Sequence, residues 1–449
     1  MAEACPIDET HDVRTTSWVA SANRHAEFPL QNLPFGIFSP SAGGDGSGPR
    51  AGVAIGDEIV DLAALCSTGL LRGEAEHAAR AATGASLNAL FALGAGPRRA
   101  LRRTLFQLLC SGSGERERER ITPCLHASSA CRMHLPAVIG DFTDFYAGIN
   151  HARNVGQLFR PENPLLPNYK YVPIAYHGRS SSIAVSPSQF QRPNGQIKAP
   201  GSTPPRLGPC RRLDYEVELG IWVGTRNANG TPISIDRAGA AVAGYCLLND
   251  WSARDIQTWE YQPLGPFLAK NFSTAISNWV ITPEALAPFC VAQPARPTDD
   301  PKPLAYLWST ADQESGALAI EIEVAIRSAA MRMQEKPWLT LARTDTRNLY
   351  WTPAQMVTHH TIGGCNLRAG DLLGTGTISG STPGSYGSLL EASKGGRCPI
   401  RLPTGEERCF VEDGDEIRLS AKARRDGFVT IGFGSCLSGV VPATQRDRN

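Results

Sequence analysis

Leu213-Asp-Tyr-Glu-Val-Glu-Leu-Gly-Ile-Trp-Val223 alternates apolar and polar residues with a period of two. Successive side chains of a β-strand point to opposite faces, so this alternation predicts a strand with one apolar face. Glu216 and Glu218 lie on the other face, roughly 6.5–7 Å apart along the strand. Two carboxylates at this spacing repel each other unless water screens them or a cation bridges them. Both interpretations, a solvated outer face and part of a cation site, stay open at this point.

The composition of the whole chain indicates a soluble, strand-rich protein. The 449 residues include 44 glycines and 33 prolines, which is typical of many turns rather than of a helical bundle. Length alone suggests roughly two or three domains. The 44 basic and 43 acidic residues nearly cancel, so we expect no nucleic-acid partner. No apolar run approaches the ~18 residues that cross a bilayer, so we expect no membrane association.

The cysteines and the start of the chain indicate a cytoplasmic location. The 12 cysteines are scattered and form no C-x-x-C pair, which disfavours zinc or iron–sulfur sites of the usual spacing. Residues 1–17 contain no apolar stretch typical of a secretory signal, so reduced thiols are expected. We interpret residues 1–24 as a loosely ordered N-terminal extension.

The pattern of predicted secondary structure changes near residues 121–135, where we place a domain boundary. Short strand-like runs occupy residues 28–62, and an Ala-, Leu- and Arg-rich helical stretch follows over residues 74–109. The alternating Glu and Arg residues at 115–120 favour a solvated helix or linker over a partner-binding strip. We therefore predict an N-terminal domain over residues 25–132 and a C-terminal domain over residues 133–449.

Two further groups of residues carry chemistry. Asp144 can bind a cation, and His151, seven residues later, can act as a base near neutral pH. In the segment 249–261, a short helix would place Arg254, Gln257 and Tyr261 on one polar stripe that can grip carboxylates and carbonyl oxygens. On this interpretation Asp250 or Ser252 caps the helix. An ordinary surface helix is the alternative.

Other patterns exclude familiar enzyme classes. Gly374-x-Gly376-x-x-x-Gly380 misses the dinucleotide-binding spacing by one residue, and no G-x-S-x-G elbow of an α/β-hydrolase occurs. His359 and His360 fall on a helix that begins near Pro353, and adjacent helical residues point about 100° apart. These two histidines therefore suit a structural role better than a zinc site. Glu391 by itself is compatible with an ordinary surface residue.

Several long strings, in the same order along the chain, resemble the fumarylacetoacetase family. They are Phe28-Pro-Leu-Gln-Asn-Leu-Pro-Phe-Gly36, Met133-His-Leu-Pro136, Gly140-Asp-Phe-Thr-Asp-Phe-Tyr146, Tyr176-His-Gly-Arg179, Asn249-Asp-Trp-Ser-Ala-Arg-Asp-Ile-Gln257, Pro263-Leu-Gly-Pro-Phe-Leu268, Thr358-His-His360 and Gly376-Thr-Ile-Ser-Gly380. The resemblance runs from about residue 27 to the C-terminus. It implies a mainly β, α+β fold with a small N-terminal SH3-like barrel domain and a larger C-terminal roll of mixed β-sheets, which is the catalytic, metal-binding domain.

The resemblance also implies a function and a set of site residues. The family hydrolyses 4-fumarylacetoacetate to fumarate and acetoacetate, the last step of tyrosine and phenylalanine catabolism, and is typically a homodimer. The implied catalytic residues are His151 as the base, Glu391 as its orienting carboxylate, and Arg254, Gln257 and Lys270 as a charge-stabilising cluster. The implied metal ligands are Asp144, Glu216, Glu218 and Asp250 for Ca²⁺, and Asp250, Lys270 and Thr274 for Mg²⁺, the last two mainly through backbone or outer contacts. The implied substrate contacts are Tyr146, Arg160, Tyr176, Gln257, Tyr261 and Thr377.

Alternatives within and outside this function remain at the level of sequence. Acylpyruvate hydrolases, oxaloacetate decarboxylases and related isomerases of the same superfamily reuse the carboxylate site, but they generally lack the N-terminal domain. A non-catalytic binding homologue would be expected to have lost the base or a metal ligand, and this chain has kept all of them. Arg153, two residues after His151, stands where some relatives carry a small polar residue and would change the charge of the pocket.

Overall fold

The computed structural model describes residues 6–41, 48–199, 201 and 203–444. The N-terminal part contains strands and helices in the order β1 (Phe35–Pro40), β2 (Arg50–Ile55), β3 (Glu58–Asp61), α1 (Leu62–Ser67), α2 (Gly73–Ala81), α3 (Asn88–Ala92), α4 (Ala95–Leu109), α5 (Glu115–Ile121), β4 (Leu125–Ala127) and β5 (Cys131–His134). The five strands form a sheet in the order β4-β3-β2-β1-β5, with every neighbouring pair antiparallel.

The C-terminal part consists of many short strands with helices between them. Its strands are β6 (Phe142–Phe145), β7 (Ala175–His177), β8 (Ile183–Val185), β9 (Ser188–Gln191), β10 (Asn194–Ile197), β11 (Arg206–Pro209), β12 (Leu213–Asp214), β13 (Val217–Val223), β14 (Val242–Asp250), β15 (Ser252–Ala253), β16 (Thr274–Ile276), β17 (Cys290–Val291), β18 (Ala317–Leu318), β19 (Ile320–Arg327), β20 (Leu339–Asp345), β21 (Leu372–Gly374), β22 (Ile400–Arg401), β23 (Glu407–Arg408), β24 (Glu416–Ala423) and β25 (Ile431–Val441).

Its helices are short, and single 3₁₀ turns occur throughout the chain. The helices are α6 (Ile149–Phe159), α7 (Ile235–Ala238), α8 (Arg254–Glu260), α9 (Pro283–Leu286), α10 (Thr310–Ser315), α11 (Ala329–Met333), α12 (Pro353–Thr361) and α13 (Leu389–Ala392). The 3₁₀ turns are Glu9–His11, Ala20–Ala22, Thr122–Cys124, Ser128–Ala130, Ser180–Ser182, Gly239–Ala241, Ala287–Phe289, Ala305–Leu307 and Thr346–Asn348. No helix in the described ranges has the length and hydropathy of a membrane-spanning segment.

Two mixed sheets organise the C-terminal part. The central sheet has the order β7-β6-β21-β13-β14-β16-β8, and its β21–β6 and β16–β8 pairs are parallel while the others are antiparallel. The second sheet has the order β20-β19-β24-β25-β9, in which only the β25–β9 pair of these described strands is parallel. The expected α+β class, with a small N-terminal β domain and a larger mixed-sheet C-terminal domain, is confirmed.

The central sheet is buried on both faces. On β13, Leu219 and Ile221 join the main hydrophobic core of the C-terminal part, whereas Trp222 joins the core of the N-terminal part. On β14, Cys246 and Leu248 also belong to the N-terminal core. The N-terminal part thus packs on the same face of the sheet as the acidic residues, because Trp222 shares a face with Glu218 on β13 and Leu248 shares a face with Asp250 on β14. The alternative of a solvated outer face for residues 213–223 is wrong.

The predicted continuous strand over residues 213–223 is also interrupted. β12 ends at Asp214 and pairs with β15, whereas β13 begins at Val217 and pairs with β14 and β21. The predicted helical stretch over residues 74–109 is three helices, since residues 82–87 separate α2 from α3 and Gly94, at φ +77°, lies between α3 and α4. A left-handed conformation of this kind costs glycine least, and it ends the helical run.

Residues 6–24 differ from the expectation of a loosely ordered extension. His11 is buried, and its Nε2 lies 2.8 Å from the Glu284 carbonyl oxygen. The Ser17 hydroxyl donates a 2.6 Å hydrogen bond to the Leu109 carbonyl oxygen. That expectation is wrong for residues 6–24, because these buried polar groups are held by the body of the protein. Residues 1–5 lie outside the described residues.

Candidate active site

Carboxylates from four places in the chain meet on one face of the central sheet. Asp144, Glu216, Glu218 and Asp250 each place an oxygen atom within 4.8 Å of the others, and all four residues are buried. Asp144 lies on β6, Glu218 on β13 and Asp250 at the end of β14, while Glu216 directly precedes β13. The sequence-predicted ligand set for a cation is therefore brought together.

The strand register explains how residues so distant in sequence converge. Gly374 on β21 lies opposite Asp144 on one side and opposite Gly220 of β13 on the other. A Cβ atom at Gly374 would lie 2.5 Å from Asp144 Oδ1 and 2.7 Å from Glu218 Oε2. Only a residue without a side chain leaves the two carboxylates room to approach each other across this strand. The Gly376 amide, just beyond, donates a 3.0 Å hydrogen bond to Glu218 Oε2.

Two of the four carboxylates each have one oxygen without a hydrogen-bond partner among the described residues. Asp144 Oδ1 and Glu218 Oε1 are buried and have no hydrogen-bond partner among the residues that the structure describes. Burial, followed by the charge of Asp250, raises the pKa of Asp144 well above its ordinary value. Burial, followed by the charge of Asp144, likewise raises the pKa of Glu218. Orphaned, repelling carboxylate oxygens are what a hard divalent cation would satisfy, so the residues fit such an ion.

The other two carboxylates face cations of the protein itself. Lys270 Nζ donates to Glu216 Oε2 at 2.5 Å and also to Asp250 Oδ2. Arg254 Nη1 lies 2.7 Å from Glu216 Oε1. Although burial opposes ionisation, Lys270 and Arg254 hold the pKa of Glu216 below its ordinary value. The Lys270 ammonium has no lone pair, so its side chain borders the carboxylate cluster but cannot be a ligand of a cation.

Asp250 is further fixed by two hydroxyl groups. Thr274 Oγ1 donates to Asp250 Oδ1 at 3.2 Å, and Tyr176 OH donates to Asp250 Oδ2 at 3.0 Å. Thr274 lies opposite Asp250 in the β14–β16 pair, and Tyr176 lies opposite Asp144 in the β6–β7 pair. The pairing of the strands therefore places Thr274 and Tyr176 beside the carboxylate cluster.

His151 and Glu391 form a buried pair next to the cluster. His151 Nδ1 lies 2.7 Å from Glu391 Oε2, and His151 Nε2 lies 3.7 Å from Glu216 Oε1. Although burial opposes it, His151 lowers the pKa of Glu391, which keeps this carboxylate ionised. An ionised carboxylate only accepts hydrogen bonds, so Nδ1 carries the imidazole proton and Nε2 is free to take another. Glu391 is therefore not a surface residue.

Three further side chains hold Glu391 in place. Asn154 Nδ2 donates to Glu391 Oε1 at 2.8 Å, and the hydroxyls of Ser379 and Ser388 each donate to Oε2 at 2.8 Å. Sequence reasoning missed all three. Ser388 was detectable, because Ser388 and Glu391 have the S-x-x-E spacing of a helix capping box at the start of α13. Asn154 lies one turn after His151 on α6, and this spacing on one helix face was a usable signal.

Helix α8 brings its polar stripe to the cluster only in part. Arg254 is buried, and besides its contact with Glu216 its Nη1 donates a 3.2 Å hydrogen bond to Gln257 Oε1. Tyr261, at the C-terminal end of the helix, is 40% exposed. The expected caps are wrong: the residue before α8 is Ala253, with no side-chain cap, because Asp250 and Ser252 belong to strands β14 and β15.

The remaining predicted substrate residues lie near the imidazole. The ring of Tyr146 meets that of His151 edge-on at 5.5 Å, and burial, followed by the charge of Glu216, raises the pKa of Tyr146. Arg160 is close enough to lower that same pKa in part. Arg160 Nε and Thr377 Oγ1 are buried polar atoms without a hydrogen-bond partner in the described part of the chain. Such atoms are available to a polar ligand.

The two adjacent histidines stand apart from this cluster. His359 Nδ1 lies 2.9 Å from Tyr306 OH, and His360 Nε2 lies 2.9 Å from Thr143 Oγ1. Because each imidazole bonds a different hydroxyl, the pair does not chelate one ion. These hydroxyl contacts are compatible with the structural role predicted for both histidines.

Comparison with known proteins adds a family. Two family models match: "Fumarylacetoacetate (FAA) hydrolase C-terminal" over residues 142–441 and "Fumarylacetoacetase N-terminal" over residues 31–136. The chain is 43% identical to the fumarylacetoacetase of Rattus norvegicus over 423 residues, which is 93% of this chain and 97% of that protein. It is 45% identical to the fumarylacetoacetase of Dictyostelium discoideum over 432 residues, or 94% and 97% of the two chains. A solved fumarylacetoacetate hydrolase from Exiguobacterium antarcticum superposes with a TM-score of 0.49 at 15% identity, over 92% of this chain and 100% of that one.

Proposed function

This chain belongs to the fumarylacetoacetase family, and we propose that it hydrolyses 4-fumarylacetoacetate to fumarate and acetoacetate, the last step of tyrosine and phenylalanine catabolism. One observation carries the proposal for the site. The His151 imidazole is held by Glu391 at Nδ1 and faces the carboxylate cluster through Nε2. A base beside a cation site is the minimum equipment for splitting a β-diketone with water.

The reaction requires an activated water molecule. His151 Nε2 takes a proton from water, and the resulting hydroxide attacks the substrate carbonyl. Glu391 balances the positive charge that forms on the imidazole, and its four donors keep the carboxylate from turning away. The tetrahedral adduct then collapses, the carbon–carbon bond breaks to release fumarate, and the electron pair leaves as the acetoacetate enolate. The His151 imidazolium returns its proton to the enolate carbon, which becomes the methyl group of acetoacetate.

We propose Ca²⁺ as the ion held by Asp144, Glu216, Glu218 and Asp250, because an all-oxygen, carboxylate-rich set suits a hard cation. When bound, the ion supplies Lewis-acid polarisation of the diketone oxygens. The Mg²⁺ expected beside Asp250, Lys270 and Thr274 stays a prediction. Since the Lys270 side chain already bonds Glu216 and Asp250, only backbone oxygen of Lys270 is available to that ion.

Protein donors stabilise the negative charge that develops on the substrate oxygens. Arg254 and Lys270 are buried, and both remain charged because neighbouring carboxylates raise their pKa values despite burial. With Gln257 they form the proposed charge-stabilising cluster. Removal of one such preorganised donor typically costs about 10²–10³-fold in kcat.

The terminal carboxylate of the substrate needs its own partner. We propose Arg160 for this role, because its buried Nε lacks a partner among the described residues and a guanidinium matches a carboxylate. Thr377, Tyr146, Tyr176 and Tyr261 complete the substrate contacts. Their hydroxyls suit the carbonyl and enol oxygens of the diketone.

We also propose that the protein is a cytoplasmic homodimer. After α8, Leu264 is 96% exposed and Phe267 is 68% exposed, next to Tyr261. Large apolar side chains clustered on a surface favour association with another protein surface. Light scattering on a size-exclusion column measures the mass directly, and a mass of one chain would contradict the dimer.

A turnover assay tests the function. Purified protein with Ca²⁺ should convert fumarylacetoacetate, with fumarate release followed by chromatography, and should lose activity after chelation and regain it on Ca²⁺ addition. An acylpyruvate offered in parallel should be a much poorer substrate. Preference for the acylpyruvate would indicate a different member of the superfamily. No turnover of either compound by folded, Ca²⁺-loaded protein would indicate a binding homologue.

A further inference from the structure

Asp214 is a fully buried carboxylate that the proposed chemistry has not used. Its Oδ2 accepts hydrogen bonds from Arg254 Nε and from the Leu390 amide, both at 3.0 Å. Its Oδ1 accepts from the Leu389 amide at 2.8 Å and from the Tyr215 amide at 2.9 Å. One side chain thus connects α8 with the start of α13.

Each of these connections leads to a proposed catalytic group. Arg254 contacts Glu216 through Nη1 at 2.7 Å, while its Nε is directed to Asp214. Leu389 and Leu390 are the first two residues of α13, and the next residue, Glu391, holds His151 at 2.7 Å. Asp214 therefore links the segment that carries Glu391 to the Arg254 guanidinium, while His151 Nε2 and Arg254 Nη1 both face Glu216.

Stability alone does not account for a charge at this position. Removing a carboxylate and a guanidinium from water costs several kcal/mol, and well-packed apolar residues of similar volume often serve as well or better. The orientation of the hydrogen bonds is more informative, because four donors fix both oxygens of Asp214. A carboxylate fixed in this way defines where Arg254 and α13 lie relative to each other.

We infer that Asp214 is a positioning residue that sets the distance between Arg254 and the His151–Glu391 pair around Glu216. This inference rests on the proposed function and extends it to a residue that does not touch substrate. Small displacements of reacting groups are costly, since a shift of about 1 Å reduces turnover on the order of 10²-fold.

Asp214→Asn tests the inference with a side chain of the same shape. The amide nitrogen would face either the Arg254 Nε and Leu390 donors or the Leu389 and Tyr215 donors, so in each orientation two of the four hydrogen bonds are lost. We expect kcat to fall on the order of 10²-fold, with a smaller change in KM because Asp214 does not bind substrate. Combined with Arg254→Lys, the loss in kcat should be far from additive, since both changes disturb the same guanidinium.

Asp415→Asn is the matched control. Asp415 is also buried, accepts from Arg408 Nε at 2.8 Å, and accepts from the Glu412 amide at 2.9 Å, but it contacts no proposed site residue. This variant should lower the melting temperature while the kcat of the folded protein stays at the wild-type value. It separates loss of a buried ion pair from loss of positioning.

Each result has one meaning. A folded Asp214→Asn protein with wild-type kcat would overturn the inference while leaving the proposed function intact. If Asp214→Asn does not fold, Asp214→Ser is assayed instead with the same expectation. Failure of both to fold while Asp415→Asn folds would overturn the inference, because Asp214 would then be a stability residue. A wild-type protein without turnover would overturn the proposed function, and the inference with it.

Discussion

Gly374 lies against Asp144 so closely that a Cβ atom on Gly374 would come within 2.5 Å of Asp144 Oδ1. Ordinary contacts between carbon and other heavy atoms are about 3.5–4.0 Å, so a methyl group at this position must displace the carboxylate. The same atom would lie 2.7 Å from Glu218 Oε2. The absence of a side chain at residue 374 is therefore part of the cation site.

Gly374→Ala should weaken Ca²⁺ binding by at least about tenfold, a loss comparable to that from disturbing the partners of metal ligands. Isothermal titration calorimetry gives the affinity, and circular dichroism verifies the fold. Gly363→Ala is the control, since a Cβ there meets nothing within 4 Å. Equal Ca²⁺ affinities for Gly374→Ala and wild type would show that the carboxylates are not tightly constrained by β21.

His151→Ala should reduce kcat by about 10²–10⁴-fold, the usual contribution of a general base. Ca²⁺ binding should persist, because the imidazole is not among the grouped carboxylate ligands. His359→Gln serves as the control and should retain turnover, since His359 bonds Tyr306 away from the cluster. Substantial activity in His151→Ala would remove His151 from its proposed role.

Ca²⁺ affinity should rise with pH and should be coupled to proton release. Burial and mutual repulsion raise the pKa values of Asp144 and Glu218, so at low pH these carboxylates hold protons that a cation must displace. Titrations in two buffers of different ionisation enthalpy give the number of protons released. Asp144→Asn should bind Ca²⁺ more weakly and release fewer protons. Heats that do not depend on the buffer would contradict this account.

Arg98→Met should destabilise the protein by about 3–5 kcal/mol, because it leaves the buried Glu284 carboxylate without its partner. Arg98 Nη2 on α4 lies 2.9 Å from Glu284 Oε1 on α9, and both side chains are almost fully buried. Urea unfolding at pH 7 measures the loss. Arg99→Met, on the same helix, should change the free energy of unfolding by less than about 0.5 kcal/mol.

The contribution of the Arg98–Glu284 pair to stability should depend on pH. Although burial opposes it, Arg98 lowers the pKa of Glu284 below 4.5, so the pair stabilises the wild type fully above that pH and loses this contribution as the pH falls. In Arg98→Met, burial without the guanidinium raises the pKa of Glu284 instead. The difference in stability between the two proteins should therefore narrow between pH 7 and pH 4. A constant difference would mean that Glu284 is not ionised in the native wild type.

Local patterns in the sequence predicted much of the site. The alternation in residues 213–223 correctly predicted that Glu216 and Glu218 point the same way, because the period of a strand is local. The family resemblance pointed to Asp144, Asp250, His151 and Glu391, and these side chains converge in the structure. What the alternation could not show was burial on both faces, since that depends on the N-terminal part packing on the Trp222 face of β13.

Other features depended on contacts between distant segments. The role inferred for Asp214 depends on its hydrogen bond to the Leu389 amide of α13, which lies 175 residues later in the chain. The interrupted strand at residues 215–216 reflects two different partners, β15 and β14, rather than any local propensity. Residues 6–24 are held by hydrogen bonds to the carbonyl oxygens of Leu109 and Glu284. No local sequence pattern predicts these contacts between distant segments.

The packing of Trp222, Cys246 and Leu248 into the N-terminal core has a consequence for how the protein can be divided. A fragment starting at residue 133 would keep every proposed catalytic group, yet it would leave one side of the catalytic sheet stripped of its apolar cover. Such a fragment should be insoluble rather than merely slow. The first third of the molecule thus covers the face of the sheet beside the carboxylates, and changes there can disable the enzyme without approaching the substrate.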